Sequence, residues 1–199
     1  VIRKMNDRNE RALPVENISH TSENGKIVKF AITDLKKKIE LAADKLIKRN
    51  LLKPQNNTIK IKISGDGYLQ THKLGHVLFT FTFLDTELAH QSYATWDVCI
   101  LNGSEDMENI AIVMKNISDQ MQNCKEINIG NQKLITEYFI TSDQKFLALV
   151  LGISGATTKY FCPWCECPKD MCGALNMNFP LRSIQYLHKM ASEIPDTKS

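Results

Sequence analysis

Two kinds of side chain in this sequence could do chemistry by their type and spacing. The first are carboxylates that close strand-like runs: Asp66 lies between Gly65 and Gly67, and Asp143 follows Ser142 just past the run 134–140. Two carboxylates a few ångströms apart repel unless a divalent cation neutralises them, and Mg2+ or Mn2+ bound by carboxylates and a substrate phosphate meets that need. Two such ions about 3.5–4 Å apart clamp the attacking and leaving oxygens of an in-line displacement at phosphorus. The second kind are thiols. Cys162-Pro163-Trp164-Cys165 has the spacing that lets two thiolates grip one Zn2+ at about 2.3 Å. One such pair is half of a tetrahedral site, and a local closure by Cys167, Cys172 or His188 is one way to complete it.

Each constellation also has a plainer reading. Gly-Asp-Gly is ordinary hairpin-turn chemistry, and Ser-Asp is an ordinary helix N-cap. Cys-x-x-Cys enclosing Pro and Trp also suits a redox dithiol, but that motif opens a helix directly after a buried strand. Here it follows the loop 155–161 and two more cysteines crowd it. Cys99 and Cys124, in a strand and at a helix end, read as buried small hydrophobes. His72 and His76 flank Lys73 and would share a face only in a helix, which the residues there do not favour. They read as loop histidines, with Lys73 and His72 placed to touch a DNA backbone near Asp66.

The elements that must position these residues belong to one α/β domain. Residues 1–27 are polar, without a sustained period, and read as linker. Over 27–52 the apolar positions Val28, Phe30, Ile32, Leu35, Ile39, Leu41, Leu46 and Ile47 recur at roughly helical spacing, with Asp34 as a cap, until Pro54 and Asn56-Asn57 break the helix. Its polar face carries Lys36, Lys37, Lys38, Lys45, Lys48 and Arg49, available to phosphates or simply solvated. Three strands follow as an antiparallel meander: 58–63, which alternates strictly and ends at Gly65-Asp66-Gly67, then 76–84 and 93–101. The run 105–121 reads as an amphipathic helix. The runs 126–129 and 134–140 form a hairpin about Gly130-Asn131, and Ser142-Asp143 opens an apolar helix at 145–153. The order is β-β-β-α-β-α, with a basic helical segment at 28–57 and a Cys-rich segment and tail at 161–199.

Composition agrees with a nucleic-acid enzyme. With 199 residues and 43% hydrophobic content the chain can bury the core of one such domain. No run of 18 apolar residues exists to cross a membrane. Four of the six cysteines crowd into residues 162–172, which excludes a spread framework of disulfides. The net charge of +3 hides an asymmetry. Residues 1–62 hold 15 Lys/Arg against 7 Asp/Glu, a net of +8, and the remainder holds 10 against 15, a net of −5. Phosphates need cations and catalytic metals need carboxylates, so a basic arm beside an acidic centre suits both. The chain begins at Val1 rather than Met and ends in a polar stretch, so we expect both ends to continue in a longer protein.

Between about Ile61 and Cys165 the chain resembles the catalytic core shared by Transib-type transposases and the catalytic subunit of the V(D)J recombinase. It looks most like transposon-derived invertebrate proteins of that pattern. The likeness rests on KISGDGYLQ with HVLFTFTFL, on EYFITSDQKFLALVLGISGATTKYF and on CPWC. It implies a ribonuclease H-like mixed sheet over 58–160, with Asp66 and Asp143 as catalytic metal ligands for Mg2+ or Mn2+ and Cys162 with Cys165 as zinc ligands. It also implies DNA cleavage and strand transfer on transposon ends and target DNA, by a homodimer in the nucleus. The third acid of that family, usually a Glu from a late helix, has no match, and Glu193 is too near the cysteines to supply it. The family completes its zinc site with a distant histidine pair, also unmatched here, and we expect that completion ahead of local closure by Cys167 or Cys172. No upstream DNA-binding module is recognisable in 1–27. The chain is therefore expected to be inactive by itself. The competing reading is a non-enzymatic zinc-binding interaction module, in which the aspartates are turn residues.

Overall fold

The computed structural model describes residues 13–22, 24–71, 74–89, 91, 94–153, 158–160, 162–173, 177–183 and 185. The chain divides into two compact units, Val1–Ser142 and Asp143–Ser199.

Among the described residues the first unit is a mixed seven-stranded sheet with two helices. Its strands are β1 (Val15–Thr21), β2 (Ile27–Thr33), β3 (Thr58–Thr71), β4 (Leu74–Phe83), β5 (Thr95–Asn102), β6 (Glu126–Ile129) and β7 (Gln132–Ile140). The helices are α1 (Leu35–Lys48) and α2 (Met107–Asn123). The spatial order is β1-β2-β5-β4-β3-β7-β6. Every pairing is antiparallel except β3 with β7, which run parallel from Thr58↔Ile135 to Ile63↔Ile140.

Alternation along the strands explains the core. In β3 the side chains of Ile59, Ile61 and Ile63 are buried, and across the ladder Phe83 faces Ile61 while Phe81 faces Ile63. Phe79 pairs with Cys99 of β5, and Leu101 of β5 pairs with Phe30 of β2, which extends the apolar row across the sheet. These residues are buried together with the apolar stripes of α1 (Leu35, Ile39, Ala42, Ala43, Leu46) and α2 (Ile110, Val113, Ile117). Phe81, Phe83 and Trp96 stack at centroid distances of 5.3–5.5 Å, a preferred aromatic arrangement. The opposite face remains partly open: Ile100 is 42% and Ile135 52% exposed.

The helices are bounded by local chemistry. Asp34 caps α1, accepting from the Lys37 N–H at 3.0 Å, and Asp106 caps α2, accepting from the Asn109 N–H at 2.9 Å. Helix α1 closes with Asn50 at φ 57, the N–H of Asn50 reaching the Ile47 carbonyl and that of Leu51 the Leu46 carbonyl, both at 2.9 Å. This is the left-handed C-terminal closure that Asn tolerates.

Three expectations are corrected. Residues 15–21, within the segment read as linker, form an edge strand on β2. Residues 27–33, read as the start of a helix, form a strand. Val28, Phe30 and Ile32 are buried in alternation, a period of two that was masked by its continuity with the helical spacing beyond Asp34. The first strand of the meander does not end at Gly65-Asp66-Gly67 but continues through it to Thr71, because β4 keeps pairing with it.

The second unit contains the helix α3 (Gln144–Val150), capped by Asp143, and a Cys-rich segment with a short 3-10 turn at Lys169–Met171.

Candidate carboxylate and thiol sites

Asp66 is a strand residue, paired with Leu78 of β4, with an exposed side chain. Because Ile61, Ile63 and Gly65 of β3 occupy the buried row, Asp66 falls in the other row with Lys60, Lys62, Ser64 and Tyr68. The hairpin-turn reading of Gly-Asp-Gly therefore does not hold. The flanking glycines have another use at Gly67: a Cβ there would come within 2.8 Å of Glu105 Oε2 and 3.2 Å of Glu105 Cβ. Glu105, on the connection from β5 to α2, lies directly over that backbone. Nothing in its sequence position announces this contact; the only signal is a glycine inside a strand, which often marks a close approach.

The parallel pairing of β3 and β7 carries the end of β7 to the same level. The Thr141 N–H donates to the Ile63 carbonyl at 2.9 Å, and the Ser142 hydroxyl donates to the Gly65 carbonyl. Gly65 and Ser142 are the residues immediately ahead of the two aspartates. In the second unit Asp143 acts as the cap of α3, its Oδ1 accepting from the Phe146 N–H at 2.7 Å. One carboxylate oxygen is thus used structurally, as the N-cap reading expects. Exposed or half-committed carboxylates of this kind suit a hard divalent cation with several remaining water ligands.

His76 stands in β4 with its ring 5.5 Å from that of Tyr68, so it is a strand residue and not a loop histidine. His72, Lys73, His188 and Glu193 lie outside the described residues. The cations of α1 are partly engaged: Lys37 pairs with Asp34 at 3.2 Å and Lys48 with Asp44 at 2.7 Å. Arg49 follows the helix as its C-cap residue and is exposed, while Lys36, Lys38 and Lys45 lie within it and are half-buried.

The thiols form two pairs. Cys165 Sγ donates to Cys162 Sγ across 3.5 Å, and Cys167 Sγ lies 3.7 Å from Cys172 Sγ. Around the first pair the backbone is clipped twice: Cys165 bridges to Leu181, and the Arg182 N–H donates to the Trp164 carbonyl at 2.9 Å. The Arg182 side chain completes the clip, with Nε donating to the Cys165 carbonyl at 3.2 Å and a terminal nitrogen to the Tyr160 carbonyl at 3.1 Å. Sequence reasoning missed Arg182, which lies 17 residues beyond Cys165 with no spacing rule to point to it. Cys167 and Cys172 both face the Pro168 carbonyl, at 3.4 and 3.6 Å.

The electrostatics of the four thiols differ. Burial alone would push Cys162 up, but the N–H groups of Trp164 and Cys165, the Cys165 thiol and the Arg182 charge outweigh it and lower its pKa. For Cys165 the Cys167 N–H favours the thiolate, yet burial, its own bond to Cys162 and neighbouring thiolate charge together raise it. Burial and the bond to Cys172 push Cys167 up to about 11, with charge on Cys165 and Cys162 adding to the shift. By contrast Cys99 is pushed up to about 12 and Cys124 is raised, in both cases chiefly by burial. Both belong to the core, as expected. Among the described residues no three His, Cys, Asp or Glu side chains already surround a single point fit for a metal ion.

No protein-family model matches the sequence, and no curated protein matches it either.

Proposed function

We propose that this chain is part of the catalytic core of a ribonuclease H-like DNA transposase or recombinase, in which Asp66 and Asp143 hold Mg2+ or Mn2+. The observation that carries the reading is the parallel pairing of β3 with β7, which sets Gly65 beside Ser142 and so brings together the residues ahead of the two aspartates. Three antiparallel strands, then a helix, then a further strand beside the first, is the order the resemblance leads one to expect, and the pair β1-β2 is an addition to it. When bound, the divalent ions would activate water toward one phosphodiester and neutralise charge on the leaving oxygen. The role of this chain's residues is narrower. Asp66 and Asp143 supply the carboxylates, and the lysines and Arg49 of the α1 segment contact phosphates with a strong salt dependence. Cys162 and Cys165 supply zinc ligands. The parent protein would act as a homodimer on transposon ends and target DNA in the nucleus, with its third acid from outside this chain.

The test exploits the cap. Asn caps a helix about as well as Asp, so Asp143→Asn removes charge while keeping α3, and Asp66→Asn changes only an exposed strand position. Both variants should keep their circular dichroism and lose Mn2+ binding, read by paramagnetic broadening. Unchanged Mn2+ binding would favour the rival reading, a zinc-binding interaction module, for which the capping bond of Asp143 to Phe146 is the supporting observation.

A further inference from the structure

We infer that Cys162, Cys165, Cys167 and Cys172 together hold one zinc ion, so that the site closes within its own segment rather than through distant histidines. The inference rests on the zinc part of the reading above and is independent of its DNA chemistry.

The geometry that points to it is the separation within the pairs. Four thiolates around one Zn2+ at about 2.3 Å lie at the corners of a tetrahedron whose edge is about 3.8 Å. The two pairs stand at 3.5 and 3.7 Å, close to that edge and far from the roughly 2.05 Å of a disulfide. Each pair is therefore spaced as one edge of such a tetrahedron would be. The edges are joined through a single residue, Glu166, and a two-residue step spans at most about 7 Å between Cα atoms. That distance lets Cys165 and Cys167 reach one ion.

The backbone supports the same ion. N–H groups of Trp164 and Cys165 point at Cys162 Sγ, and that of Cys167 points at Cys165 Sγ. Such donors stabilise thiolate charge, and here they link the second pair's backbone to the first pair's sulfur. The clip made by Arg182 on the Cys165 and Tyr160 carbonyls places a cation beside a cluster that would carry four negative charges against two on the metal. The 3-10 turn at Lys169–Met171 brings Cys172 back toward Cys167. The four sulfurs do not yet surround one point, so binding must turn the two edges toward one another.

Zinc K-edge absorption fine structure on the intact 199-residue chain, purified with zinc, counts the donors without any mutation. Four sulfurs at about 2.3 Å are expected, with one zinc per chain. Two sulfurs with two nitrogen or oxygen donors, or no retained zinc, would overturn the inference. In a second measurement Co2+ replaces zinc, and Cys167→Ser and Cys172→Ser are each compared with the parent. Each should weaken metal binding by on the order of 100-fold and reduce the sulfur-to-cobalt charge-transfer intensity. Variants that bind as tightly as the parent, with unchanged intensity, would also overturn it. Neither result bears on Mn2+ binding by the aspartates, so the two readings fail separately.

Discussion

Asp66 stands in a strand, laddered to β4 at Leu78, over a core of phenylalanines and isoleucines, whereas Cys162 stands in a loop where, among the described residues, backbone bonds and the Arg182 side chain hold the chain. The sheet fixes Asp66 through many weak contacts spread over the whole unit. The contacts described for the thiol loop are local, Arg182 reaching back 22 residues to the Tyr160 carbonyl. A carboxylate positioned in the first way tolerates loss of its charge without loss of fold.

The largest expected effect breaks the sheet side of this comparison. Gly67→Ala drives a Cβ into the Glu105 carboxylate and stem, and should cost about 1–3 kcal/mol in urea unfolding, as overpacking does elsewhere. Removing that carboxylate as well, in Gly67→Ala with Glu105→Ala, should recover part of the loss. A smaller effect sharpens it. Asp106 is half-exposed; its partial burial raises its pKa, but bonds from Ser104 and the Asn109 N–H, and Lys26 at 3.0 Å, outweigh this and lower it from the ordinary 3.8. A carboxyl lowered on folding contributes stability that is present above the unfolded value and lost as pH falls through the folded one. Acid unfolding should therefore include a component below pH 3.8 that Asp106→Asn flattens, while Asp106→Ala also removes the α2 cap and costs about 0.5–2 kcal/mol at neutral pH. The smallest effect concerns the thiols and leaves stability untouched. In metal-free protein, alkylation followed by mass spectrometry should label Cys162 ahead of Cys167, and Cys99 last, following their thiolate character. Added zinc should suppress labelling of Cys162.

Much of the sheet was legible because period-two burial writes itself directly into the runs 58–63 and 76–84. The capping aspartates Asp34 and Asp143 were legible for the same local reason. What was not legible lay where two periods abut. Val28, Phe30 and Ile32 run straight into Leu35 and Ile39, so a strand and a helix read as one helix. β1 was hidden differently: as an edge strand with mostly exposed side chains it has no apolar alternation to show. Asp66 looked like a turn because glycines flank it, and only the ladder to β4 reveals it as strand. The pairing within Cys167 and Cys172 depends on a 3-10 turn of three residues, too short to leave a pattern.

The join between β3 and β7 also has a consequence in time. Gly65 and Ser142 are 77 residues apart, so at a synthesis rate of about 5–20 residues per second β3 waits roughly 4–15 s for its parallel neighbour to leave the ribosome. Throughout that interval one side of β3 is an unpaired edge, open to pairing with any other extended chain. Lys60 and Lys62, which alternate with its buried isoleucines, put charge on that waiting edge and discourage such pairing. The two lysines thus guard the nascent chain at the stage when β7 has not yet been made.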